Sequence, residues 1–94
     1  MRHPATLFKL SDDVRYRVID KEAVLLRLEA GKVHALNEVG ARIVDLIDGN
    51  RPLGKIIDTM SQEYEVGLED LRADVIRFIE TLLDGGVVEE VSGS

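Results

Sequence analysis

The feature that most constrains this chain is a change of hydrophobic period at Asn37. Before it, apolar and polar residues alternate as in half-buried strands. After it, apolar residues recur at i, i+3, i+4 and i+7, as on one face of a helix. The hinge stretch, Gly31 to Gly49, reads GKVHALNEVGARIVDLIDG. It combines a turn glycine, a short strand, an Asn of the type that caps helix N-termini, an amphipathic run and a glycine stop. Such a chain places a sheet edge beside a cluster of helices, and the surface between them is the natural place for a function.

In order along the chain, residues 1–13 are mixed, with Pro4 early and Asp12-Asp13 at the close. Leu7, Phe8 and Leu10 fit either an arm packed on the body or a frayed terminus. Val14 to Ile19 alternates, with Val14, Tyr16 and Val18 on one side. Asp20-Lys21-Glu22 forms a polar turn, and Ala23 to Leu28 forms a second strand. Glu29-Ala30-Gly31-Lys32 reads as a hairpin loop, with Gly31 free to take positive φ. Val33 to Leu36 is the third strand. With Ala30-Gly31 as a two-residue turn, Leu28 faces Val33, Arg27 faces His34, Leu26 faces Ala35 and Leu25 faces Leu36.

Helix 1 follows Asn37, with Val39, Ile43, Leu46 and Ile47 on one stripe. Gly40 in its first turn costs about 1 kcal/mol of propensity against Ala, which is best tolerated where another backbone passes close by. Gly49 is placed in the C′ role, and Pro52 opens helix 2, from Leu53 to Tyr64. Helix 3 runs from Leu68 to Asp84 and stops at Gly85-Gly86. Leu71, Val75, Phe78 and Leu82 form its seam, and Ile76, Ile79 and Leu83 widen it, so this helix has two things to touch. Val87 to Val91 reads as a last short strand, and residues 92–94 as a polar tail. The fold class is α+β, a winged helix-turn-helix-like arrangement of a three-stranded antiparallel sheet followed by a three-helix bundle. The division is an arm (1–13), one domain (14–91) and a tail (92–94).

Several chemistries lack their residues. The chain has no cysteine, which removes thiolate catalysis, disulfides and cysteine metal sites. His3 and His34 are the only histidines, and a two-His metal site would need His3 to fold back onto the third strand. Ser11, Ser61 and Ser92 stand without a nucleophile's neighbours, and no glycine-rich phosphate loop occurs. The reading is therefore a non-enzyme without cofactor or metal. With no long apolar run and no signal pattern, membrane attachment is not expected and the location is read as cytoplasmic.

A winged fold suggests DNA reading, with helix 3 in the major groove. That helix carries five carboxylates against two arginines, in a chain of net charge −6. Phosphate repulsion makes it a poor recognition helix, so nucleic acid is not the expected partner. Strand addition fits better: the third strand leaves an edge, and a helical wall stands beside it. Against this, the C-terminal strand or a second copy of the chain would also cover that edge. A winged-helix regulator and a dimerisation or scaffold module, including a homodimer, remain the alternatives.

The residues Leu25-Leu26, Gly31, Leu36-Asn37-Glu38, Gly40-Ala41-Arg42-Ile43, Leu46, Asp48-Gly49, Ile56-Ile57, Tyr64, Asp74-Val75, Phe78, Leu82 and Gly86-Val87-Val88 together resemble the PqqD-like family over residues 14–90. The resemblance implies a peptide chaperone without catalysis. Such domains bind the leader of a ribosomally made precursor as an added strand between the third strand and third helix, and present it to a modifying enzyme, often of the radical S-adenosylmethionine type. Carried over, the edge is Val33, His34, Ala35 and Leu36, and the wall is Arg72, Val75, Ile76 and Ile79. Members devoted to pyrroloquinoline quinone usually show Leu-Leu-x-Pro-Glu after the second strand. Here the segment is Leu25-Leu26-Arg27-Leu28-Glu29 without proline, closer to members that serve other modified peptides, so the resemblance implies either pyrroloquinoline quinone or another modified-peptide pathway.

Overall fold

The computed structural model describes residues 3–91 of the 94, so the polar tail lies outside the described residues. The fold is α+β. Its elements are β1 (Phe8–Leu10), β2 (Val14–Ile19), β3 (Glu22–Arg27), β4 (Lys32–Leu36), α1 (Glu38–Leu46), α2 (Leu53–Glu63), α3 (Leu68–Asp84) and β5 (Val88–Glu90). Strands β2, β3 and β4 form an antiparallel sheet in that order, and β1 pairs with β5 in a separate two-stranded sheet.

The β2–β3 turn is tighter than expected. Ile19 pairs with Glu22, leaving Asp20 and Lys21 at the tip, and Asp20 takes φ 61°. In the second hairpin the expected register is wrong by two residues. Leu26 faces Val33 and Leu25 faces His34, because the loop is the four residues 28–31. Gly31, at φ 64°, donates its N–H to the Arg27 carbonyl at 2.8 Å and closes a wider loop than a two-residue turn. A slip of two preserves the face of every side chain. Ala23, Leu25 and Leu36 therefore still reach the core with Val14.

Asn37 caps α1 as expected: its Oδ1 accepts from the Gly40 N–H at 2.9 Å. The helix ends earlier than Gly49, with Ile47 extended at the C-cap. Gly49, at φ 83°, instead turns its N–H to the Phe8 carbonyl at 2.8 Å. At the start of α2, no side chain caps the helix. The N-terminal segment does so with backbone: the carbonyls of Thr6 and Pro4 accept from Leu53 and Gly54 at 2.9 and 2.8 Å, meeting donors a helix start leaves free.

The same segment resolves the choice between packed arm and frayed terminus in favour of packing. Phe8 is fully buried, and β1 pairs with β5 from Phe8–Glu90 to Leu10–Val88. Leu25, Val44, Leu53, Ile56, Met60, Val75, Ile79 and Val87 form the fully buried centre between sheet and helices. Arg27 ties the sheet to the end of α3, donating to the Gly85 carbonyl at 2.9 Å beside Asp13 at 3.4 Å.

Candidate functional site

Strand β4 is an edge of the three-stranded sheet, since β5 pairs with β1 and not with β4. Which of its backbone groups are free follows from parity. In a strand, a residue's N–H and C=O point to one side, and successive residues alternate. Leu28 donates to the Asp13 carbonyl at 2.9 Å, so Leu28 turns toward β2 and Arg27 toward β4. Continuing along the register, Lys32, His34 and Leu36 bond to β3. Val33 and Ala35 turn their backbone groups outward, where an added strand would find them.

Beside this edge lies a cleft of about 410 Å³ between β4, α1 and α3. Leu36, Ile43, Leu71 and Val75 form its buried floor; Ala35, Tyr64 and Phe78 wall it. Val39 and Val66 keep apolar surface exposed at its mouth. Asp74 is the one charged side chain lining it among the described residues, and it sits at the exposed rim, 3.3 Å from Arg77. Burial raises the Tyr64 phenol above its ordinary value, with Glu38 and Glu63 adding to the shift. The phenol is therefore a neutral hydroxyl at physiological pH. A cleft with this lining suits apolar side chains carried on an extended backbone.

Gly40 explains itself here, though not by a neighbouring backbone. A Cβ on Gly40 would lie 3.2 Å from Cζ of Phe78, so the missing side chain lets that aromatic ring sit against the first turn of α1. The N-cap and the cleft wall are thus built from one local motif.

The sequence-predicted residues divide. Ala35, Leu36 and Val75 line the cleft. Val33 lies on the edge, exposed, with its side chain on the sheet's outer face. His34 pairs with Leu25, and its Nε2 is buried without a hydrogen-bond partner among the described residues. On α3, Arg72 is exposed, Ile79 is fully buried in the core, and Ile76 lies in a shallow groove with Ala73 and Arg77. None of these three lines the cleft, which takes the opposite flank of the helix through Leu71, Asp74 and Phe78. The apolar width of α3 did not say which flank faces β4. The Gly40–Phe78 approach, a tertiary contact, decides it.

No group of three or more His, Cys, Asp or Glu that could hold a metal occurs among the described residues. No helix among them is long and apolar enough to cross a membrane.

Residues 22–88 match the sequence model of the family described as coenzyme PQQ synthesis protein D (PqqD). The chain belongs to the PqqD family. Among its relatives, the PqqA binding protein of Rhodopseudomonas palustris is 34% identical over 59 residues, 63% of this chain and 58% of that protein. The match thus spans less than two thirds of that relative. The PqqA binding protein of Methylococcus capsulatus is 28% identical over 88 residues, 94% of this chain and 92% of that one. The solved structure of TbiB1 in complex with the TbiA(beta) leader peptide superposes with a TM-score of 0.83 at 32% identity, covering 90% of this chain and 99% of that one. The PqqD fold is therefore shared with a protein seen holding a leader peptide.

Proposed function

We propose that this chain is a leader-peptide chaperone. It binds the leader of a ribosomally made precursor as a strand added to β4 and presents the remainder to a separate modifying enzyme, without catalysing the modification itself. The observation that carries this reading is the open outer edge of β4 beside an apolar cleft, left uncovered because β5 is engaged by β1. Val33 and Ala35 offer backbone donors and acceptors, and alternate leader side chains enter the cleft against Leu36, Val75 and Phe78. Each well-buried apolar anchor contributes about 1.5–3 kcal/mol. The relatives' names, PqqA binding protein and a leader-peptide complex, support a ribosomal precursor as ligand. The partner enzyme is of the radical S-adenosylmethionine or another tailoring type, and the setting is cytoplasmic.

The test is isothermal titration with the leader of the precursor encoded beside this chain's gene, followed by amide spectra. The expected result is saturable heat with the largest amide shifts at Val33 and Ala35. Absence of both sinks the reading.

A further inference from the structure

The outer face of the three-stranded sheet lies apart from the cleft except at Ala35, which borders both. Register places Arg15, Arg17 and Ile19 of β2, Glu22, Val24 and Leu26 of β3, and Val33 and Ala35 of β4 on it. The opposite face is buried in the core through Ala23, Leu25 and Leu36. On the outer face Ile19 remains 59% exposed and Val33 63% exposed. Two cross-strand rows organise it: Arg15–Leu26–Val33 and Arg17–Val24–Ala35. Both end at the open edge of β4.

We propose that this face docks the peptide-modifying enzyme, and that the bound leader strand completes it. The inference rests on the leader-binding reading above. A strand added to β4 alternates its side chains: one set enters the cleft, and the other continues the two rows on the outer face. The enzyme then touches the chaperone and its cargo together, so loaded and empty forms present different surfaces.

Charge and area identify the occupant. Arg15 donates only to the backbone carbonyls of Asp12 and Val14, and Arg17 has no side-chain partner among the described residues. Glu22 is the sole acid at the strand positions of this face, in a chain of net charge −6. The complementary surface is an apolar patch bordered by carboxylates. A second copy would bring the same arginines and the same net charge. Three strands about 4.8 Å apart and roughly six residues long make a face of only about 300 Å². An added strand widens it to about 400 Å², still short of the roughly 800 Å² per partner of a stable dimer and in the range of a weak, transient contact, as suits a carrier that must hand over its cargo.

The experiment uses the full chain, the leader peptide, and the purified modifying enzyme encoded in the same gene cluster. Binding of that enzyme is measured with and without saturating leader for the wild type, the double variant Arg15→Glu/Arg17→Glu, and Ile19→Lys, an exposed position that carries the test if the double variant does not fold. Leader affinity should be unchanged in the variants. Enzyme affinity for the loaded complex should fall by about ten-fold or more, with KM raised and kcat held. Loaded wild type should bind the enzyme more tightly than empty wild type. Unchanged enzyme affinity, equal affinity of loaded and empty forms, or loss of leader affinity in the variants would overturn the proposal. So would self-association, or sedimentation with anionic phospholipid vesicles, abolished by the same substitutions. A flat leader titration of the wild type defeats the leader-binding reading on its own, and is read before the enzyme arm.

Discussion

Gly40 stands where the first turn of α1 meets Phe78 of α3. Its hydrogen atom faces the Phe78 ring, and its N–H is held by the Asn37 cap. Replacing it with Ala removes a propensity cost of about 1 kcal/mol but pushes a methyl against a ring that must then yield. Phe78 is only half-buried and borders the cleft, so it has room to swing into it. Gly40→Ala should leave thermal stability within about 1 kcal/mol of wild type while weakening leader binding several-fold. Parallel melts and titrations separate the two effects. A second residue-scale prediction concerns Arg42, which donates to Glu63 at 2.6 and 2.8 Å and to Asp45 at 2.7 Å, bridging α1 and α2. The hydrogen bonds from Arg42 hold the Glu63 carboxyl below its ordinary value. A carboxylate with a depressed folded pKa stabilises the fold above its unfolded value, about 4.3, and loses that contribution as pH falls through the folded one. Glu63→Gln should therefore lower Tm at neutral pH, and its gap to wild type should close as the solution becomes strongly acid. A gap independent of pH would assign the loss to packing.

At the scale of elements, the decisive object is β4. Its parity turns Val33 and Ala35 outward, so Ala35→Pro removes one outward donor without breaking a bond to β3. The variant should fold, retain the wild-type far-ultraviolet spectrum, and lose leader affinity by about ten-fold, the value of a hydrogen bond plus ring clash. Unchanged affinity would place the leader elsewhere. The hinge before α1 behaves as its residues promise: Asn37→Ala should destabilise by about 1 kcal/mol in urea unfolding, the usual loss for an N-cap. The loop between β3 and β4 shows where local reading stops. Gly31 announced a turn, yet both a two-residue and a four-residue loop accommodate a glycine at positive φ. The choice falls to which residues of β3 reach β2, through the Leu28–Asp13 bond.

For the molecule as a whole, the pairing of its two ends matters most. β1 and β5 are each three residues long, too short to declare a partner; the sequence offers β5 only as a cover for β4 and reads no strand at Phe8–Leu10. Burial of Phe8 and of Val87 and Val88 beside α3 settles it. Phe8→Ala should cost about 3–5 kcal/mol, a large share of the stability of a domain this size, and urea unfolding measures it directly. The strands β2 to β4, the three helices and the Asn37 cap were legible from residue order, because period, caps and breakers are local properties that act within one or two turns of chain. The edge on β4 was legible too, but that β5 leaves it open, the flank of α3 that faces it and the β1–β5 pair were not. They depend on which distant apolar side chains bury one another, and that competition is resolved only when the whole core closes.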